Sequence, residues 1–270
     1  MKTRNHRMIR IILMIFALLI VVPVVWMVIW AFTERWAWPD ILPQVFSFRA
    51  IEGILRKSTR LGQMMLSSVF ISLAVAAVAV VIGTMTARAL VLYQFKGRDV
   101  MYFCSILPFM VPVTVFAMGI QVTFIKLGWN NTVWGVICAH LVCSLPYAVR
   151  LLMDGTEALG DGLEEQARVL GASAVQAFFR VTLPLLIPVL LSAFSMAYIV
   201  SFSQYFLTLL IGGGQVKTFT IVMVPYLQGG DRNIACVYSV IFLGITLVLF
   251  GIFEWTAGKI SKNNSTEFYS

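Results

Sequence analysis

EEQARVLGASAVQAFFRVTLPLL, residues 164–186, is the most polar and most helix-favouring stretch in the second half of the chain, and it lies between two long apolar runs. Just upstream, Asp161-Gly162-Leu163-Glu164 has the spacing of a capping box, with Asp161 as N-cap and Glu164 three positions into the helix. Glu164 and Arg168 stand four apart in the favourable order for an ion pair. Leu163, Ala167 and Leu170 fall on one face. Gly171 is placed to end this helix in a left-handed conformation. Ser173-Ala174-Val175-Gln176 is a second capping box. It opens a helix through Ala177, Phe178 and Val181 that is expected to stop at Leu183-Pro184. The local chemistry therefore spells helix, glycine turn, helix, then a break into the next apolar run.

The rest of the chain says where this segment sits. Only 12% of its 270 residues are charged and 60% are hydrophobic; a soluble domain of this length carries about twice that charge. Mean hydropathy is +0.89, and the apolar residues come in blocks rather than in alternation. The fold class is an all-α polytopic membrane protein, read as a single transmembrane domain over 1–270. A basic leader, MKTRNHRMIR, precedes an apolar run over roughly 11–32. That run is too long for a signal-peptide core of about 7–15 residues and has no cleavage site after it, so it reads as a retained leading span. Five more spans are expected at roughly 64–90, 100–125, 132–153, 185–211 and 234–257. Twelve of the 20 Lys and Arg residues lie on the N-terminal side of this six-span arrangement, which favours both termini in the cytoplasm. The net charge of +8 is thus assigned to topology, not to nucleic acid. The connection at 33–62 holds Trp36 and Trp38, suited to an interfacial belt, and part of it reads as a surface helix.

Catalytic and metal chemistry find little to work with. The four cysteines lie in apolar runs without a CxxC pair, and His6 and His140 are too scattered for a metal cluster. No HExxH, GxSxG or opposed pair of membrane-depth aspartates is present, and no acidic residue sits deep enough in a span to hold a driving ion. This argues against an intramembrane enzyme and against a stand-alone secondary transporter. Polar residues at membrane depth are the candidates for a solute path: Ser201, Gln204 and Tyr205 in the fifth span, Gln121 in the third, with His140 in the fourth. Gln204 stands out because its amide has four hydrogen-bonding sites to satisfy in apolar surroundings. Pro108 and Pro112 are expected to kink the third span, and Pro184 and Pro188 the start of the fifth. IGGGQVKT, residues 211–218, reads as a flexible external turn. Glu157, Asp161, Glu164 and Glu165 make the first helix of the opening segment acidic at its start. An acidic surface helix is poorly attracted to an anionic leaflet, whereas a small apolar stripe between carboxylates suits a groove on a partner protein.

Glu165-Gln166-Ala167, Gly171 after three residues, and Val181-x-Leu183-Pro184 after nine more resemble the EAA motif, E-A-A-x3-G-x9-I-x-L-P, of permease subunits of binding-protein-dependent ABC importers. Five fixed positions keep their spacing; Gln166 and Val181 depart from it mildly. The resemblance implies a type I importer permease fold, one leading span plus a five-helix core over roughly 64–257, with a cytoplasmic coupling segment over roughly 157–184. It implies coupling roles for Glu164, Glu165, Ala167, Arg168, Gly171, Leu183 and Pro184, with Glu165 contacting the ATPase and Ala167 keeping the helix surface low enough to seat. The implied partners are two ATPase subunits that bind ATP and Mg, a second permease subunit, an extracytoplasmic substrate-binding protein and the bacterial inner membrane. This chain lacks the phosphate-binding GxxxxGK sequence, so it is not itself the ATPase and carries no cofactor. Sugar importers of this superfamily show a Trp-Asn-acidic-aromatic signature in the fifth span; here Ser203-Gln204-Tyr205-Phe206 stands instead. The chain more resembles the spermidine/putrescine, phosphonate, thiamine and ferric-iron permeases. The expected cargo is a polyamine or another small charged solute, with a sugar-type permease as the alternative.

Overall fold

Apolar runs in a bilayer must satisfy every backbone polar group internally, and helices do so within one segment. The computed structural model describes residues 2–36, 40, 43–56 and 58–267. Trp38, Pro39 and Lys57 lie outside the described residues, as do the side chains of Lys2, Arg4, His6, Arg7 and Lys262. The elements run α1 (Lys2–Ala31), β1 (Thr33–Arg35), β2 (Val45–Phe46), α2 (Arg49–Leu55), α3 (Ser58–Leu92), α4 (Arg98–Met110), α5 (Val113–Lys126), α6 (Val133–Leu159) and α7 (Gly162–Val169). They continue with α8 (Ala174–Ala177), a π-helical turn (Phe178–Thr182), α9 (Leu183–Phe202), α10 (Phe206–Gly212), α11 (Phe219–Gly229) and α12 (Arg232–Glu267).

Among the described residues, five helical stretches are long and apolar enough to cross a membrane, and the pair α4 and α5 makes a sixth if it crosses as one broken span. The two members of that pair meet at 111°, far more than a kink. The break falls at Val111-Pro112 because Pro112 disfavours the helical region for the residue before it; Val111 is extended, at φ −99° and ψ 125°. Pro108, by contrast, sits inside α4. The fifth span also differs from expectation. It does not run on to residue 211: α9 ends at Phe202, and α10 starts only at Phe206.

The chain divides into two compact units, residues 1–63 with 222–245, and residues 64–221 with 246–270. In the first, a short antiparallel hairpin that the sequence did not announce pairs Thr33 with Phe46 and Arg35 with Val45. Asn233 Nδ2 lies 3.1, 3.1 and 2.7 Å from the carbonyl oxygens of Trp30, Ala31 and Thr33, and so caps the C-terminal end of α1. The rings of Trp26 and Trp30 pack on Trp36 at 4.9 and 5.0 Å. The expected surface helix within 33–62 is the seven-residue α2.

In the second unit the core gathers Ile71 and Val75 of α3, Ala117 and Phe124 of α5, Val136 and Ala139 of α6, and Leu207 and Ile211 of α10. The 211–218 turn is exposed at residues 213–215 and at Lys217 and anchored around them. Gly213 and Gly214 take left-handed conformations, and Val216 and Thr218 are buried. Ser68 Oγ then accepts the Phe219 N–H at 2.7 Å, satisfying the start of α11. The most extensive helix pair is α6 with α9. It closes at Gly155, where a Cβ would lie 2.6 Å from Val189 Cγ1. A larger residue there must push the helices apart. Gly155→Leu is expected to destabilise the purified protein by about 1–3 kcal/mol, seen as a lower melting temperature in detergent. Gly119→Ala, on α5 with open space at its Cβ, should leave the melting temperature unchanged or raise it slightly.

Candidate functional site

Two stretches with the same capping-box lettering behave differently. Ser173 is extended, at ψ 158°, which aims its hydroxyl at the helix. Its Oγ accepts the Gln176 N–H at 3.2 Å, and Gln176 Oε1 accepts the Ser173 N–H at 3.0 Å. Asp161 occupies the N-cap position of α7, but its backbone is near-helical, at φ −106° and ψ −10°, and its side chain caps nothing. The expected first capping box is therefore absent. Glu164 is drawn elsewhere.

Arg88, near the end of α3, places Nη2 2.8 Å from Glu164 Oε2 and 3.1 Å from Oε1. Thr182 of the π turn donates its hydroxyl to the same Oε2 at 2.7 Å. The Arg88 guanidinium also lies over the Phe178 ring, 4.7 Å from its centroid. One carboxylate thus ties α7, α3 and the π turn together. Glu164 does not form the expected ion pair with Arg168; that charge acts on it only at longer range. The Arg88 and Glu164 side chains keep only 14% and 12% of their exposure. Burial pushes the Glu164 carboxyl up, but the hydrogen bonds from Thr182 and Arg88 and the positive charges of Arg88 and Arg168 outweigh it. Its net shift is below the usual carboxylate range. A cavity of about 420 Å³ opens beside this cluster, lined by Met85, Arg88, Tyr93, Glu164, Val175 and Phe179 among others.

Gly171 ends α7 as its position requires. Its φ is +96°, and the Ala172 N–H reaches the Ala167 carbonyl at 3.0 Å while the Gly171 N–H reaches that of Arg168 at 3.0 Å. This is the paired-bond closure that glycine favours. It leaves Val169 and Leu170 at 87% and 89% exposure, with Glu165 and Arg168 also exposed and Ala167 half-buried. The helix that follows does not stop at Leu183-Pro184. It continues as one stretch, Ala174–Phe202. Proline lacks an N–H, so a regular helix here would leave a carbonyl one turn earlier without a donor. The wide π turn absorbs the change of register, with the Leu183 N–H bonding back five residues to Phe178.

The expected path residues are not equivalent. Gln204 lines a cavity of about 360 Å³ together with Phe109, Val111, Pro112, Cys143 and Tyr147. This cavity therefore adjoins both helix breaks, at Val111-Pro112 and at Ser203–Tyr205. Tyr205 is half-buried at the second break. Ser201 is buried, its hydroxyl 3.0 Å from His140 Nδ1. Gln121 spends its amide on the Leu210 carbonyl at 3.3 Å. Sequence reasoning missed Arg88 and Thr182. Arg88 was counted only as a topological charge, though an arginine still on the helix at the end of a span, behind the small residues Thr84 and Ala87, was a usable signal.

Two outcomes follow from the Glu164 cluster. Arg88→Ala strands a largely buried carboxylate and should loosen α7 by about 3 kcal/mol, measured as faster amide hydrogen exchange over 162–170. The Glu164 carboxyl has a lower pKa folded than unfolded. Its contribution is therefore present above about pH 4, the unfolded range, and is lost as pH falls through the lowered folded value. Protection of the amides over 162–170, taken relative to an unstructured chain at the same pH, should fall on acidification below about pH 4, and Glu164→Gln should remove most of that pH dependence.

Residues 79–262, more than half of the chain, match the family described as "Binding-protein-dependent transport system inner membrane component". A molybdate/tungstate transport system permease protein, WtpB, of Pyrococcus abyssi is 28% identical over 193 residues, covering 72% of this chain and 77% of the relative. The spermidine/putrescine transport system permease protein PotC of Haemophilus influenzae is 25% identical over 204 residues, covering 76% and 79%. In fold, the chain is similar to one in the crystal structure of a bacterial ABC transporter involved in alginate import, with a TM-score of 0.69 at 17% identity over 93% of this chain and 96% of that one. The chain therefore belongs to the binding-protein-dependent inner membrane components, and it is a multi-pass permease subunit of an ABC importer rather than an enzyme.

Proposed function

We propose that this permease couples a solute path to a cytoplasmic ATPase through α7, and that the cargo is a small charged solute. The observation that carries this reading is an exposed apolar edge, Val169 and Leu170, on a short helix anchored from behind by Glu164, Arg88 and Thr182. A rigid lever needs both a free face and a fixed back, and α7 has them. Glu165, Ala167 and Arg168 lie on the free part of the segment, Gly171 sets its turn, and Leu183 and Pro184 carry it into α9. Two ATPase subunits holding ATP and Mg, a second permease subunit and an extracytoplasmic binding protein complete the assembly. The relatives support the last of these by their family description, and a related alginate transporter has been seen with its periplasmic protein. In this arrangement α7 and both termini face the cytoplasm.

Gln204, with Tyr205 beside it, marks the path where the cavity meets the two helix breaks. The relatives are named for molybdate or tungstate, sulfate, spermidine/putrescine and 2-aminoethylphosphonate, all small and charged. Among the described residues that line the cavity there is no carboxylate and no cation. Choice between an oxyanion and a polyamine then falls to the binding protein that delivers it.

Glu165→Lys and Leu170→Asp alter only exposed positions, so each should leave the permease folded. Each is expected to weaken ATPase capture on co-purification by about tenfold or more, a loss of about 1.4 kcal/mol or more. Retention of the ATPase at the unaltered level in both variants would overturn the coupling role of α7.

A further inference from the structure

The break in the fifth span falls at Ser203–Tyr205, where the Gln204 N–H reaches only three residues back, to the Ser201 carbonyl at 3.2 Å. Backbone carbonyls freed inside a membrane protein need new donors. The Gln204 carbonyl has two: Thr208 Oγ1 at 2.9 Å and Thr220 Oγ1 at 3.1 Å. Thr208 has a single hydroxyl proton, and this bond uses it. Thr208 Oγ1, 2.9 Å from His140 Nε2, must then accept, so the ring proton is assigned to Nε2. Nδ1 is left as an acceptor for the Ser201 hydroxyl at 3.0 Å. The donors run in one direction, from Ser201 to His140 to Thr208 to the Gln204 carbonyl.

Ser201 belongs to the last turn of α9 and Thr208 to α10. His140, on α6 and 1% exposed, therefore holds both sides of the break with its two ring nitrogens. The Gln204 side chain takes no part in this chain of bonds and lines the cavity instead. We propose that His140 is a positioning residue for transport: by bridging the break it fixes where Gln204 faces the cavity shared with Phe109, Pro112 and Tyr147. This rests on reading that cavity as part of the solute path. Position 140 needs a donor toward Thr208 and an acceptor toward Ser201 on one planar group. Glutamine offers both on its amide; leucine fills the space and offers neither.

The test places a reporter at the cavity. In the full permease with its four native cysteines replaced by alanine, Gln204→Cys is reacted with a small methanethiosulfonate reagent in the assembled, membrane-embedded complex. Adding His140→Leu is expected to change the reaction rate by about tenfold or more, while His140→Gln keeps it within about twofold. A Lys96→Cys reporter, in the exposed turn before α4, should react at the same rate in all three backgrounds, which a general loss of structure would not allow. If His140→Leu fails to assemble, Ser201→Ala and Thr208→Val each remove one arm of the bridge and should shift the same rate. An unchanged rate at residue 204 when the bridge is cut overturns the role of His140 and leaves the path reading standing. A cysteine at 204 that never reacts, with or without ATP, overturns the path reading and this proposal with it.

Discussion

The contact between Glu164 and its two partners, Arg88 and Thr182, is the constraint on which the segment between α6 and α9 depends. Without it α7 is an eight-residue helix on a glycine turn, too short to hold its own shape in water. With it, the helix is tied to a 35-residue span at one oxygen pair and to the start of another span at a shared oxygen. The exposed edge at Val169 and Leu170 keeps one orientation because the opposite side is fixed. Charge, hydroxyl and aromatic face converge on one carboxylate, so that its burial is offset by hydrogen bonds and not merely by Coulomb attraction.

Much of this was legible beforehand, for reasons that can be named. Hydropathy located the spans because a bilayer admits few alternatives to a long apolar helix. Gly171 and the Ser173 box were legible because each acts on neighbours within a few residues. Asp161 shows the limit of that logic: its lettering matches the Ser173 box, yet its backbone never adopts the extended geometry a cap needs. Arg88 was invisible as a partner because it lies 76 positions from Glu164, and no local rule spans that distance. The hairpin at Thr33–Phe46 escaped for a different reason: its strands are only three and two residues long, too short to show an alternating pattern.

The two helix breaks beside the cavity have different origins, which is why only one was half-foreseen. At Val111-Pro112 the covalent ring of proline imposes the turn, although Pro108, four residues away, carries the same letter and imposes none. At Ser203–Tyr205 there is neither proline nor glycine. That break is held by side chains from other helices: Thr220 donates to the freed Gln204 carbonyl, and His140 bridges the hydroxyls of Ser201 and Thr208 on its two sides.

The π turn at Phe178–Thr182 carries a further consequence. A turn of this kind is an α-helix with one residue too many. Its five residues wind through about the same angle as four residues of α-helix, so the surplus residue is lodged there without changing which way the chain upstream faces. The same surplus wound into regular helix would swing everything upstream by about 100° relative to α9 and carry the Glu164 carboxylate away from Arg88 although every residue around it was intact. The facing of α7 is thus kept by where one residue is stored as much as by the chemistry of its neighbours.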